Sequence, residues 1–599
     1  MSTSPSAPRT IPDILRGLED CAAHGARFVA RDGKATLHPY RDIVQRAKAA
    51  AGALQARGLL PGDRVAIVLN TSIEFFDAFL GVQLAGGIPA AVYPPLRFGK
   101  LEEYFTRTRR MLGKIGARFL VTDARIGAIL GPAAEGVPSL EAIVDAADPG
   151  RPGAWTQVET RPADPAFLQF SSGTTLEPKA VVVTHASLLA NLSMIDSFFG
   201  GLSPAEVAQG GVCWLPLYHD MGLLGNLFIG LYHPGTVTYI TPDHFIARPA
   251  IWLQTLSRFR GVISAAPDFA YGLCTAKIAD RELEGVDLSS WRIAFNGAEP
   301  ISAASLEGFA RRFARWGLRP EALTPVYGLA EAGLAVSFSA PDAPPRVSEF
   351  DERALSARGQ AVAGSGRPIV SVGRAVPGLD IAIRDEGGQA LEDDRVGRIT
   401  VRGPSITPGY FGDAELSART IRNGWLDTGD LGFVHAGELY VSGRAKDLII
   451  IRGRNLAPAQ VEEPLRDVEG LRAGCCVAVA CAGEDGHGEQ LVILAERARA
   501  KPRPDAEIVA DIRHRILAAL ALLPARVVLL APGTLPRTSS GKLRRAEAAR
   551  LLLAGALRPP SRLGALRLAR EWGRSRLAWM RSRLRRTAPP PLDGETDRA

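Results

Sequence analysis

Phe170-Ser171-Ser172-Gly173-Thr174-Thr175-Leu176-Glu177-Pro178-Lys179-Ala180-Val181-Val182-Val183 is the stretch on which the reading of this chain turns. Residues 166–170 before the loop are short and apolar, as in a buried strand, and Val181-Val182-Val183 forms a second apolar run after it. Between them, small hydroxyl and glycine residues leave backbone N–H groups and hydroxyls free to surround phosphate oxygens. Lys179 adds a mobile positive charge. The Gly-Lys-Ser/Thr ending of a Walker loop is missing, and a Ser/Thr/Gly cluster taken alone is more often a surface turn.

Outward from this loop, residues 11–240 alternate between helix-like segments and short apolar runs. Residues 41–57 predict an amphipathic helix, Arg64-Val65-Ala66-Ile67-Val68-Leu69 a buried strand after the Gly62-Asp63 turn, 72–84 a helix and 119–122 a strand. Residues 261–264 and 291–295 repeat the pattern. Strands alternating with helices predict parallel sheets with helical crossovers. From about 372 to 440, short strands such as 380–384, 397–402 and 438–441 are separated by glycine turns, which suits antiparallel pairing. After Gly443 a smaller alternating region runs to about residue 555. The expectation is an α/β chain with a large N-terminal domain over 11–443. That domain holds two mostly parallel βα sheets and a small antiparallel β barrel-like subdomain. A smaller α+β C-terminal domain over 444–555 follows, and then a tail over 556–599.

With 599 residues, 46% hydrophobic and 22% charged, the composition is that of a soluble multidomain protein. No apolar run is long enough to cross a bilayer; the best, 516–523, is stopped by Pro524 and Arg526. The polar residues 1–9 predict no secretory signal. Cys21, Cys213, Cys274, Cys475, Cys476 and Cys481 make no Cys-x-x-Cys pair, and no histidine spacing suits zinc, so free thiols in the cytoplasm are expected. Much of the net charge of +8 sits in the last forty or so residues, which argues against a nucleic-acid enzyme.

Four further motifs each admit two readings. In Val326-Tyr327-Gly328-Leu329-Ala330-Glu331, a tyrosine beside a glycine can lie against a flat base, and a carboxylate four residues on can hold Mg²⁺; the alternative is a turn into a helix. In Trp425-Leu426-Asp427-Thr428-Gly429-Asp430, Asp430 can accept from two ribose hydroxyls, or be a solvated turn residue. Gly443-Arg444-Ala445-Lys446-Asp447 stands before Leu448-Ile449-Ile450-Ile451 and suits a plain linker equally well. Gly533-Thr534-Leu535-Pro536-Arg537-Thr538-Ser539-Ser540-Gly541-Lys542 presents one lysine on a Ser/Gly loop, able to bridge a carboxylate and an α-phosphate or simply to be solvated.

Together and in this order, the five motifs resemble those of the adenylate-forming superfamily of acyl-CoA synthetases, peptide-synthetase adenylation domains and luciferases, over roughly residues 11–555. Within it the chain is most similar to the fatty acyl-AMP ligases. Three stretches carry that similarity: Trp214-Leu215-Pro216-Leu217-Tyr218-His219-Asp220-Met221-Gly222-Leu223, Ser264-Ala265-Ala266-Pro267-Asp268-Phe269-Ala270-Tyr271, and 446–455 with Arg452-Gly453-Arg454-Asn455. Glu331 and Gly373 also stand 42 positions apart, where acyl-CoA ligases of the superfamily have a shorter segment. The resemblance implies an insertion near 345–370 that limits closure on coenzyme A; a floppy surface loop is the alternative.

The resemblance also implies ATP and Mg²⁺ as cofactors. Ser171, Ser172, Gly173, Thr174, Thr175 and Lys179 would hold the β,γ-phosphates. Tyr327, beside Gly328, would stack on adenine, with Asn296-Gly297-Ala298-Glu299 alongside. Glu331 would take Mg²⁺ with help from Thr174, and Asp430 and Arg444 would bind the ribose. Lys542 would bridge carboxylate and α-phosphate, His219 would lie near the reacting carboxylate, and Lys446 would be the hinge of a mobile C-terminal domain. The implied reaction activates a fatty acid to acyl-AMP and passes it to the phosphopantetheine thiol of an acyl carrier protein or a polyketide or peptide synthase carrier domain. The alternatives are an acyl-CoA ligase and a non-catalytic binding scaffold.

The scaffold reading is motivated by departures from the family pattern. Leu176, Glu177 and Ala180 alter the phosphate loop, and Leu456-Ala457 replace a His-Tyr type pair. Leucine tolerates positive φ poorly, and an inward Glu177 would repel phosphate. Finally, nine arginines between 562 and 586, with Leu566, Leu577, Met580 and Leu584 on one helical face, predict a basic amphipathic helix able to touch an anionic membrane or an acidic carrier protein. A solvated extension is the alternative.

Overall fold

The computed structural model of the chain describes residues 7–95, 101–148, 153–171, 177–451, 454–482, 489–498, 503–538 and 542–559. Residues 172–176 of the phosphate loop, 452–453, 539–541 and the tail from 560 onward, with its expected helix, lie outside the described residues. The described chain forms two compact units, one of Ala47–Leu69 and Glu74–Val158 and the other of the remainder.

In the smaller unit four parallel strands run in the order Ala142–Asp145, Phe119–Thr122, Arg64–Val68, Ile88–Ala91. Every residue of Phe119–Thr122 and Ile88–Ala91 is buried. A strand covered on both faces must be apolar throughout, which is why these segments are continuous apolar runs in the sequence. The helix Leu101–Ile115 buries Leu101, Tyr104, Phe105, Thr108, Met111, Leu112 and Ile115, a stripe at three- and four-residue spacing. The helices expected over 41–57 and 72–84 are found at Tyr40–Ala56 and Ile73–Leu84.

The larger unit contains the parallel strands Ile263–Ala266, Ile293–Asn296 and Leu323–Leu329, continued antiparallel by Leu334–Phe338 and Arg374–Ala375. The first two of these begin two residues later than the sequence predicts. A mixed sheet that the sequence pattern did not separate joins Ala35–Pro39, Gly25–Val29, Val237–Ile240 and Val212–Cys213. Pro165–Phe170 and Ala180–Thr184, the strands on either side of the Ser/Thr/Gly stretch, pair antiparallel. A buried aromatic cluster centred on Trp252 packs against Trp214, Phe245, Tyr271 and Trp291. The Trp252 indole donates to Ser264 Oγ at 2.8 Å, which donates in turn to the Val212 carbonyl at 2.5 Å.

The antiparallel region is a five-stranded sheet of Asp380–Arg384, Gly397–Arg402, Trp425–His435, Ile421–Arg422 and Glu438–Arg444. The interval between Glu331 and Gly373 is not a floppy loop. Val347–Phe350 pairs with Arg367–Val370, and between them the helix Glu352–Arg358 is capped by Asp351, which accepts from Ala354 N–H at 2.6 Å. Phe350 is buried edge-on against Phe433 and Tyr440 of the antiparallel sheet.

Beyond Arg444, the strands Leu471–Ala482, Glu489–Arg497 and Arg526–Leu530 form a sheet with the helices Asp505–Leu520 and Arg545–Leu553. Two hydrophobic clusters here draw only on residues 449–557. The segment therefore has a core of its own.

His185 is buried, and its Nδ1 accepts the Ile11 N–H at 3.2 Å. Burial pushes its pKa down to about 4 from 6.5. A histidine kept neutral in the fold but free to protonate when unfolded stabilises the protein above pH 6.5, and that contribution is lost as the pH falls from 6.5 toward 4. His185→Gln, which keeps an acceptor for Ile11, is expected to remove up to about 3 kcal/mol of this acid-induced loss. Urea unfolding at pH 7 and pH 4.5 checks it; an unchanged difference between the two pH values refutes it.

Candidate active site

Tyr327 lies near the end of the strand Leu323–Leu329, and Glu331 follows in the tight turn Ala330–Ala332 that reverses the chain into Leu334–Phe338. The two strands approach so closely that a Cβ at Gly328 would lie 1.9 Å from the Leu334 carbonyl oxygen, which requires glycine there. The alternative reading, a turn into a helix, does not hold, because the turn leads into a strand. Asp430 lies within the strand Trp425–His435, after Gly429 at φ +75°, and opposite Arg444 in the ladder. It is 6% exposed, so it is not a solvated turn residue. The Tyr327 hydroxyl donates to Asp430 Oδ2 at 2.7 Å and Arg444 Nε donates to Oδ1 at 2.8 Å.

Glu331 is tied to the phosphate-loop hairpin by residues 407–411. The Tyr410 hydroxyl donates to Glu331 Oε1 at 3.0 Å, and Lys179 Nζ lies 5.5 Å from the centre of the Tyr410 ring. The Thr407 N–H donates to the Glu331 carbonyl, and the Thr407 hydroxyl to the Val182 carbonyl. Ser171 N–H donates to the Lys179 carbonyl at 3.1 Å, closing the base of the loop. His219 sits in a turn in which a Cβ at Gly222 would meet the Pro216 carbonyl oxygen at 2.2 Å. Gln169 Nε2 holds the Tyr218 carbonyl at 3.1 Å. His219 Nδ1 is 2.5 Å from Asp220 Oδ1.

Lys542, His219, Glu331, Ser171, Lys179, Tyr327, Gly328, Ala298, Arg444 and Lys446 all line one cleft of about 1050 Å³. Asp430 lies directly behind Tyr327 and Arg444. Ala298 alone of its motif lines the cleft. Asn296 is fully buried and donates to Asp268 at 3.2 Å, Gly297 lies against Val326, and Glu299 accepts the Phe269 N–H at 2.7 Å. Ser172, Gly173, Thr174 and Thr175 lie outside the described residues. Asp220, Gln169 and Tyr410 line the same cleft and were not singled out from the sequence. Pro408-Gly409-Tyr410, a turn followed by an aromatic, is the signal that could have found Tyr410.

Among the described lining residues, nine are Lys or Arg and five are Asp or Glu, a balance that suits a polyphosphate anion. Ile195, Phe199, Phe295, Leu334 and Phe338 give the cleft an apolar flank. Burial would raise the Asp220 carboxyl, but His219, Lys542 and the Met221 N–H together hold it down at about 2. Burial lowers the Lys542 ammonium, opposed by the charges of Asp220 and Glu299. Burial raises the Glu331 carboxyl above 4.5, opposed by Tyr410 and Lys179. No group of three His, Cys, Asp or Glu among the described residues could hold a metal alone. One carboxylate still fits Mg²⁺ that takes its remaining ligands from phosphate and water.

Because the Tyr410 hydroxyl opposes the raised Glu331 pKa, its removal raises that pKa further. Tyr410→Phe is expected to move the acid limb of the pH–rate profile upward. Steady-state rates between pH 5 and pH 8 check this, and an unmoved limb counts against a role for ionised Glu331.

Residues 19–411 match the family model described as AMP-binding enzyme. A putative acyl-CoA synthetase of Caulobacter vibrioides is 36% identical over 86% of this chain and 90% of its own length. JamA of Moorena producens, a medium-chain-fatty-acid–[acyl-carrier-protein] ligase, is 32% identical over 86% of this chain and 90% of its own. A solved structure from work on fatty acyl-adenylate ligases of E. coli and L. pneumophila is 34% identical, with a TM-score of 0.85, covering 91% of this chain and 98% of that one. With its tyrosine, glutamate, aspartate–arginine pair and lysine around one cleft, the chain belongs to the AMP-binding enzyme family and is an adenylate-forming ligase of the fatty acyl-AMP ligase type.

Proposed function

We propose that this protein activates a fatty acid with ATP and passes the acyl group to the phosphopantetheine thiol of a carrier protein or synthase carrier domain. The observation that carries the reading is the meeting of Lys542, from the C-terminal segment, with Tyr327, Glu331 and Arg444, the last held from behind by Asp430, in one cleft that has an apolar flank. The apolar flank suits an acyl chain, and the basic lining suits a triphosphate.

In the first step a carboxylate oxygen attacks the α-phosphorus, the bond to the bridging oxygen breaks, and pyrophosphate leaves. No covalent nucleophile is needed from the protein; alignment and charge neutralisation carry the rate. Lys542 neutralises charge on the carboxylate and α-phosphate, and Lys179 with the Ser171 loop holds the outer phosphates. Glu331 holds Mg²⁺, which supplies further neutralisation of phosphate charge. Tyr327 and Ala298 flank the base, and Asp430 with Arg444 takes the ribose hydroxyls. His219, oriented by Asp220, faces the reacting carboxylate. Residues 11–443 act as the adenylation body, and 444–555 rotate about Lys446 for the second step, in which the thiol displaces AMP. The setting is the cytoplasm, where ATP and reduced carrier thiols are both present.

Carrier transfer is supported by the JamA relative and by the folded insertion. Leu355, Ser356 and Gly359 of the insertion line the cleft, and Glu352 accepts from Gln460 Nε2 of the C-terminal segment at 3.1 Å. A scaffold without catalysis is disfavoured because Glu177 is exposed and is not among the lining residues, so its charge does not enter the phosphate site. Transfer to coenzyme A is the second reading, favoured by the Caulobacter relative.

Mass spectrometry of products from ATP, Mg²⁺ and a panel of fatty acids separates these readings. Acyl-AMP without a thiol, acyl-carrier with a loaded carrier protein, and no acyl-CoA are expected. Acyl-CoA formed at a comparable rate overturns the carrier reading, and absence of acid-dependent pyrophosphate release overturns the enzyme reading. Lys542→Ala is expected to slow pyrophosphate release about 100- to 1,000-fold.

A further inference from the structure

We infer that Glu496, far along the chain from every motif above, is the positioning residue that holds the Lys542 loop in place for adenylate formation. This rests on the role proposed for Lys542. Glu496 lies near the end of the strand Glu489–Arg497, and its side chain is 0% exposed. Oε1 accepts the Leu535 N–H at 2.8 Å and Arg472 donates to Oε2 at 2.9 Å, while the Gly533 N–H faces the same carboxylate and favours its ionised form. Leu535, which makes the backbone bond, and Gly533 both belong to the segment 533–542 that ends in Lys542.

The rest of that segment is fastened to the same base. Thr534 is closed on the Ala531 carbonyl, Leu535 is buried with Val477 and Leu494, and Arg544 N–H donates to the Pro536 carbonyl. At the head of the loop, Thr538 N–H donates to the Lys542 carbonyl at 2.7 Å and Lys542 N–H to Thr538 Oγ1 at 3.0 Å. Lys542 is thus tied to Thr538, and the stretch that leads to Thr538 is tied to a buried carboxylate.

Only a carboxylate serves there. All three partners are donors, and an ionised carboxylate offers two oxygens that accept charge-assisted bonds. A glutamine puts an NH₂ where one donor points, so one bond is lost and two donors face each other. Because the backbone of 533–535 sets where the lysine emerges, loosening it displaces the ammonium from a point that must be held to a fraction of an ångström. Arg472 is half-exposed and keeps the buried charge neutralised.

The test compares Glu496→Gln, Lys542→Ala and the double variant in the two half-reactions. The first is fatty-acid-dependent pyrophosphate release. The second is transfer from supplied synthetic acyl-AMP to pantetheine, which needs no lysine at the α-phosphate. Glu496→Gln is expected to slow the first about 100-fold, to leave the second within about twofold, and to cost nothing further in the Lys542→Ala background. A parallel fall in both half-reactions, or an added cost on top of Lys542→Ala, shows a merely structural role and overturns the inference. If Glu496→Gln does not fold by circular dichroism, Arg472→Met, at a half-exposed site, is expected to show the same split at about tenfold; no split overturns the inference. An inactive parent enzyme points instead to failure of the proposed reaction.

Discussion

Burial of the Asp430 carboxylate is the constraint on which the rest of the site depends. A carboxylate shut away from water is stable only when paired and hydrogen-bonded, and removing one partner of such a group costs about 3–5 kcal/mol. Its partners come from two separate sheets. Tyr327 lies near the end of a strand of the parallel sheet, while Arg444 closes the antiparallel sheet and opens the C-terminal segment. Satisfying one charge therefore fixes the edge of one sheet against the end of another. The walls of the cleft are the consequence.

Around that anchor the electrostatics are divided rather than uniform. Lys542 enters a place where Asp220 and Glu299 supply negative charge, whereas Lys179, Arg444 and Lys446 leave the remainder basic. A desolvated lysine held by carboxylates is poised to exchange them for the oxygens of a substrate carboxylate and a phosphate, since the charge pattern is the same. Among the described residues, the C-terminal segment is joined to the body by several polar contacts. Arg466 faces Asp268 at 3.5 Å, Ser302 donates to Glu463 at 2.5 Å, and Gln460 donates to Glu352. The hydrophobic clusters of the segment draw on its own residues and not on those of the body.

The departures from the family pattern settle into harmless places where they are described. Ala180 is fully buried in the hairpin strand, opposite Phe170. Leu456 joins the C-terminal core, and Ala457 lies beside Gly443, where a Cβ would come within 2.9 Å of it. Each is a packing solution, and none of the three places a new charge in the cleft.

Periodicity determined much of the fold. The strands 119–122, 380–384 and 397–402 coincide residue for residue with those observed, because a strand buried on both faces or flanked by glycine turns is written in consecutive residues. The motif residues Tyr327, Glu331, Asp430, Arg444 and Lys542 were legible for the same local reason, each beside a glycine or on a short polar loop. Tertiary structure decided what no window of sequence contains. The folded state of 347–370 depends on Phe350 finding Phe433 and Tyr440, some eighty to ninety positions away. Tyr410 enters the site only because its hydroxyl meets Glu331, and Asn296 leaves it because Asp268 draws it inward. Glu496 has no motif at all; the role proposed for it comes from the Leu535 N–H, which meets it from a loop beyond the next strand. Local patterns record what a residue can do, whereas burial and partners, set by contacts distant in the chain, decide which of them is used.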